Sequence, residues 1–176
     1  MPSIRPEPKL QVRKFHIPAN LWRIHAFRHL SDMMPAFSLR VAPNSRLFAW
    51  NVKVRGPREG GMLGGKPFFK HGEKVLRMHL NATDKQHIVT LMRGLPSAIP
   101  ELKKQGYVGV FGFSPSEPVI ASLRKHLEAG GREVHSVDVP AKEARYELRR
   151  YRRNERVYGF PPLLKDARVT GVAARF

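Results

Sequence analysis

The chain has 176 residues, carries 32 Lys and Arg against 14 Asp and Glu for a net charge of +18, and contains no cysteine. That length leaves room for one modest core plus extensions. The lack of cysteine excludes disulfides, thiolate catalysis, thioether-bound haem and Cys-ligated zinc together. No window approaches the roughly 18 consecutive apolar residues that a spanning helix needs, so no membrane span is expected.

Charge is spread unevenly. Residues 1–72 hold 13 Lys and Arg against 3 acids, residues 73–139 hold 9 against 7, and residues 140–176 hold 10 against 4. The flanks therefore carry nearly all the excess and call for an anionic partner or open solvent. Three regions follow: a basic N-terminal extension (1–72), a compact α/β domain (73–139), and an Arg-rich helix with an extended tail (140–176).

Residues 1–18 place Pro2, Pro6, Pro8 and Pro18 among Arg5, Lys9, Arg13 and Lys14. This is too Pro-rich for a helix and too polar for a core, so an extended arm is expected. Asn20 can cap a helix over 21–34 whose apolar face is Leu21, Trp22, Ile24, Phe27, Leu30 and Met33. Glu7 is the one acid in the first 31 residues. An acid-poor, Arg-bearing, amphipathic segment reads as mitochondrial targeting, here uncleaved, and points to the mitochondrial matrix.

Residues 37–41 and 47–55 flank a Pro-Asn-Ser turn and predict a β-hairpin. In its second strand Leu47, Ala49, Asn51 and Lys53 share one face, and Phe48, Trp50, Val52 and Val54 the other, which should pack on something. Residues 56–72 run through six glycines and two prolines with Arg58, Lys66 and Lys70. We read them as a basic loop lying close along a polyanion or another subunit. Gly60, Gly65 and Lys66 have the spacing of a phosphate-binding loop, but Pro67 stands where its magnesium-binding Ser or Thr belongs, so no nucleotide site is expected.

The central region reads as strand, helix, helix, strand, helix, strand. Residues 75–80 alternate as a half-buried strand. Thr83 caps a helix with Gln86 at capping-box spacing, and that helix should stop at Gly94. A second helix runs from Ser97 to Gly106, and residues 107–113 form a strand covered on both faces. Ser114, Pro115 and Glu117 open a third helix that Gly130-Gly131 ends, and residues 132–139 alternate again. This order predicts a small α/β layer with right-handed crossovers, an N-terminal helix and β-hairpin before it, an Arg-rich helix after it, and extended basic arms.

Pro140 begins that last helix, and residues 141–158 contain no further Pro or Gly before Gly159. Ala144, Leu148 and Tyr151 give a narrow seam for docking. Arg145, Arg149, Arg150, Arg152, Arg153 and Arg156 project over more than one face, outnumbering Glu143, Glu147 and Glu155. Guanidinium groups pair bidentately with phosphate and stack on bases, which makes RNA the expected partner. Arg13, Lys14, Arg58, Lys66 and Lys70 join these six as candidate RNA contacts. Residues 159–176, with Pro161-Pro162, should be an extended tail.

Chemistry finds little support. His25 and His29 stand at i and i+4 without a third ligand, so no metal is expected. His79 and His135 read as satisfied structural histidines. Asp84, Glu101 and Glu117 occupy helix starts and do not form a catalytic carboxylate pair. Asn81-Ala82-Thr83 is more simply a turn than a glycosylation acceptor, and no nucleophile elbow is visible. We expect no turnover and no cofactor.

A near-neutral α/β unit with Pro- and Gly-rich cationic arms at both ends resembles organellar ribosomal proteins in overall architecture. The resemblance implies a structural constituent of the mitochondrial ribosome, with rRNA and neighbouring protein subunits as partners. The rival expectation is an accessory subunit of a respiratory or ATP-synthase complex, with anionic headgroups as counter-charge.

Overall fold

The computed structural model describes residues 11–14, 35–43, 45–82 and 84–176. Six strands come first along them, and three helices then alternate with three more strands: β1 (Gln11–Lys14), β2 (Pro35–Ala42), β3 (Ser45–Lys53), β4 (Met62–Leu63), β5 (Lys66–Pro67), β6 (Lys74–Asn81), α1 (Lys85–Lys104), β7 (Gly109–Ser114), α2 (Glu117–Ala129), β8 (Val134–Val137), α3 (Ala141–Tyr158) and β9 (Thr170–Arg175). Seven of the strands form one mixed, mostly antiparallel sheet in the order β1-β2-β3-β6-β7-β9-β8, while β4 and β5 make a separate hairpin. The single parallel neighbour pair is β6 with β7, joined through α1. The mixed α/β class expected from sequence is therefore present, in a different layout.

The regions drawn from charge do not coincide with the sheet. β3 pairs with β6 over eight positions, from Arg46 opposite Asn81 to Lys53 opposite Lys74. The presumed tail supplies β9, which lies between β7 and β8 and is antiparallel to both. Its Val172, Ala173 and Ala174 are fully buried. Residues 11–14 of the expected arm form the edge strand against β2. The helix anticipated over 21–34, with His25 and His29, lies outside the described residues.

Two apolar layers cover the two sheet faces. On one, Leu91, Met92, Leu95, Ile99 and Leu102 of α1 and Ile120, Leu123 and Leu127 of α2 pack on Leu39, Leu47, Ala49, Leu76, Met78, Val110, Val172 and Ala174. The strand face carrying Leu47 and Ala49 is thus the one under helix, while Phe48 and Trp50 look to the other side. There, Val54, Phe69, Val75, Phe111, Phe113, Val137 and Ala173 form the second cluster. Strand β7 is covered on both faces, as its apolar run predicted.

Helix α1 is continuous, whereas two helices were expected. Pro96 and Pro100 lie inside it. Each interior proline costs roughly 3 kcal/mol, but five large side chains buried at roughly 1.5–3 kcal/mol each outweigh both. Ser97 Oγ also donates to the Gly94 carbonyl at 2.8 Å, inside the disturbed turn. The cap is Asp84, its Oδ1 accepting from the Gln86 amide at 2.6 Å, one residue later than expected. Helix α2 likewise starts two residues later than expected, with Ser116 at its cap.

The Gly-rich loop folds back on its own domain. Phe69 is 1% exposed and packs on Phe111, ring centroids 6.4 Å apart. Gly60 passes over it at φ +105, where an added Cβ would come within 2.3 Å of the Phe69 ring. Met62 and Asp138 exchange backbone hydrogen bonds of 3.0 and 2.8 Å, fastening the loop beside β8. Arg175 ties its far end, Nη1 donating to Glu73 Oε1 at 2.9 Å and Nη2 to Oε2 at 3.0 Å. Gly64 and Gly65, both at positive φ, turn the β4–β5 hairpin, so Lys66 opens a strand and not the helix of a phosphate-binding loop.

Because β9 bridges β7 and β8, removing residues 170–176 should abolish cooperative thermal unfolding and leave an aggregating chain. A soluble truncated protein with an unshifted melting transition would show that the sheet does not need this strand.

Candidate nucleic-acid interface

Helix α3 lies on the second sheet face, beside the Gly-rich loop, and is anchored by charge. Arg77 of β6 emerges from that face with its Cζ 6.0 and 5.8 Å from the ring centroids of Phe111 and Phe113. Its Nη2 donates to Glu147 Oε1 at 2.7 Å and to Glu143 Oε2 at 3.2 Å. Glu147 is only 1% exposed, and its Oε2 accepts from Arg150 Nε at 3.0 Å. A carboxylate that deep is tolerable because two guanidinium groups meet it. Asn154, 6% exposed, continues the same inward line one turn further.

The docking surface of α3 is therefore the polar series Glu143, Glu147, Arg150 and Asn154, spaced i, i+4, i+7, i+11. The expected seam of Ala144, Leu148 and Tyr151 is half-buried along its margin. Tyr151 donates to the Pro161 carbonyl at 3.1 Å and meets Phe160 edge-on, centroids 5.6 Å apart. Burial raises its phenol above the ordinary value.

Turning Glu143 and Glu147 inward, with Glu155 half-buried at the flank, leaves the outer face cationic. Lys142, Arg145, Arg149, Arg152, Arg153 and Arg156 are exposed, and no acid of the helix is. At 3.6 residues per turn and 1.5 Å rise, these six fall within an arc of about 100° and a stripe about 21 Å long. They do not spread over several faces. Among the described residues none of the six joins an ion pair; Arg156 Nε reaches only the Arg152 carbonyl, at 3.4 Å. Tyr146, 55% exposed, borders the stripe.

Five of the six candidate arginines of the helix are thus brought together, and Arg150 is withdrawn into the anchor. Arg58, Lys66 and Lys70 are exposed on the Gly-rich loop and share no hydrogen bond or ion pair with α3 among the described residues. Arg13 and Lys14 belong to edge strand β1, four strands from β7 and so about 19 Å away across the sheet.

His79 is not a satisfied histidine. Its ring stacks on Phe48, centroids 5.4 Å apart at 20°, but Nδ1 is buried without a hydrogen-bond partner among the described residues, as is Asn81 Oδ1. Burial first, then the positive charges of Arg150 and Arg77, hold its imidazole well below the ordinary 6.5. His135 does have a partner, its Nε2 lying 3.1 Å from Glu133 Oε1. Among the described residues no group of three His, Asp or Glu could hold a metal ion, and no helix is long and apolar enough to cross a membrane.

Glu147 and Asn154 were not singled out in the sequence. The signal for Glu147 was Arg77, an arginine in the middle of a strand on the face of Val75 and His79, which requires a carboxylate opposite. Comparison of the chain with protein-family models, curated proteins and solved structures gave no match.

Replacing Arg77 by Met strands the buried carboxylate and should cost about 3–5 kcal/mol in chemical denaturation. Adding Glu147→Gln should recover a large part of that loss, and strict additivity of the two changes would refute the anchor. A second expectation concerns pH. An imidazole kept neutral in the fold but free to charge when unfolded gives stability that is full above pH 6.5 and lost as pH falls toward its depressed folded value. Melting temperatures between pH 7 and 5 should decline less in His79→Phe than in the wild type, and parallel curves would exclude His79 as the cause.

Proposed function

We propose that this protein is a non-catalytic structural constituent of a large RNA–protein assembly, a mitochondrial ribosomal protein of the matrix that binds rRNA and neighbouring subunits. The observation that carries the reading is the outer face of α3, where six cations share one narrow arc with no exposed acid among them. Five are arginines, whose planar fork suits phosphate. A solvated helix would interleave acids with these cations as i, i+4 pairs. Here Glu143 and Glu147 are committed to Arg77, and of the helix's three acids only the half-buried Glu155 lies beside the stripe, so most of its charge is left for a partner. The matrix location rests on the acid-poor N-terminal segment.

Each phosphate neutralised on the stripe releases counterions, so log K should fall by about 0.7–0.9 per contact for each unit of log salt. Replacing Arg145, Arg149, Arg152 and Arg153 by Gln removes charge while keeping helix propensity; Arg150 stays because it belongs to the anchor. The salt slope for RNA should shrink by roughly two to four units, nearly independently of RNA sequence, since phosphates carry no base code. An unchanged slope would turn the stripe toward protein or anionic lipid and favour an accessory subunit of a respiratory or ATP-synthase complex.

A further inference from the structure

On the inner side of α3 there is a largely enclosed cavity of about 40 Å³ that the outer stripe does not use. Its polar lining is Ser114, Ser116, Arg150, Tyr151 and Asn154, and its remaining walls are apolar. It sits where β7 ends and the 13-residue helix α2 begins. A water needs roughly 10–15 Å³ of such space, so the cavity takes about three waters or one small polyatomic ion, and no nucleoside.

Its polar groups are arranged to donate. Arg150 is held by Glu147 through Nε, and its Nη1 and Nη2 meet no acceptor among the described residues. Asn154 is 6% exposed, yet its amide has no hydrogen-bond partner among them. Ser116, at the cap of α2, makes no side-chain capping bond, and its hydroxyl reaches the Tyr151 phenol across the cavity wall. Ser114 Oγ accepts from the Ser116 amide at 3.1 Å, and Tyr151 is occupied by the Pro161 carbonyl. No carboxylate lines the space. The Asn154 amide and the two terminal nitrogens of Arg150 line the cavity and meet no protein acceptor among the described residues, so they are available to whatever fills it, and the positive end of a helix dipole beside them favours negative charge.

We propose that this cavity binds a compact tetrahedral oxyanion, the phosphate of a monoester. An internal phosphodiester would have to enter and leave so small an enclosure, whereas a terminal phosphate enters from one side only. Within the RNA-binding reading, on which this step rests, the monoester is the 5′ phosphate of an RNA strand. Arg153 stands about 60° around the helix from Arg150, so nucleotides following the captured end lie beside the outer stripe.

Titration calorimetry of the full chain with inorganic phosphate, beside Asn154→Leu and Ser116→Ala, tests the site. Asn154→Leu keeps the side chain's bulk without its amide, and Ser116→Ala is the milder change should the first disturb folding. The wild type should bind phosphate, sulfate should compete, and at least one folded variant should bind about tenfold more weakly, the loss of one charge-assisted hydrogen bond. No phosphate binding by the wild type, or equal binding by both folded variants, would overturn the proposal whatever RNA does. A 5′-phosphorylated oligonucleotide should bind about tenfold more tightly than its 5′-hydroxyl twin, and that advantage should vanish in the weakened variant while the salt slope persists. Phosphate binding without a 5′-phosphate advantage would identify free phosphate as the ligand and overturn the RNA-end assignment. Phosphate binding with no RNA affinity at all would overturn the RNA reading and leave the oxyanion site standing.

Discussion

Glu147 fixes the rotation of α3 about its own axis. The helix offers the sheet few apolar atoms, since Ala144, Leu148 and Tyr151 are only half-buried, so apolar burial alone would hold it weakly and in more than one orientation. A carboxylate with 1% exposure facing Arg77 permits one orientation, because turning the helix by a single residue would swing it about 100° away from Arg77 and leave it only Arg150, three residues on in the same helix. Everything outside follows from that choice. The same rotation that satisfies Glu147 sends Arg149, Arg152, Arg153 and Arg156 to solvent and leaves Asn154 facing inward.

The platform beneath is rigid for a different reason. Phe111 and Phe113, centroids 5.2 Å apart, are pressed between the sheet and what lies over it: Phe69 on one side and the Arg77 guanidinium on the other. Arg175 repeats the device at the far end of β9, pairing with Glu73 while its Cζ stands 5.1 Å from the Phe69 ring centroid. Two arginines thus act as struts that are apolar on their flat faces and charged at their edges. Basic residues in this chain consequently serve two purposes, and net charge alone does not separate them.

Some of this was readable from the residues. Helix α3 was legible over its whole length because Pro140 and Gly159 bracket a stretch with no breaker, and Gly159 takes the left-handed conformation at φ +66. The hairpin and β6 to β8 followed from alternation and turn residues, within a few positions. Strand β9 was hidden, because Thr-Gly-Val-Ala-Ala-Arg has the small residues of a loop. They are small because a Cβ on Gly171 would meet Phe113 and Val137 at 2.9 Å. Helix α1 was divided between Gly94 and Ser97 because local propensity favours a break that tertiary burial overrides. In the candidate site, the arginines were visible by type, but their division into one anchor and one exposed row was not, since it depends on Arg77, 70 residues away from Glu147.

The place of β9 also bears on how the molecule is made. Strands β7 and β8 are translated well before Thr170–Arg175, and neither has the other as its neighbour in the finished sheet. While the ribosome works through the intervening residues, β7 shows an open hydrogen-bonding edge, flanked by Phe111 and Phe113, to whatever strand comes near. A nascent chain in that condition is a template for pairing with its own kind.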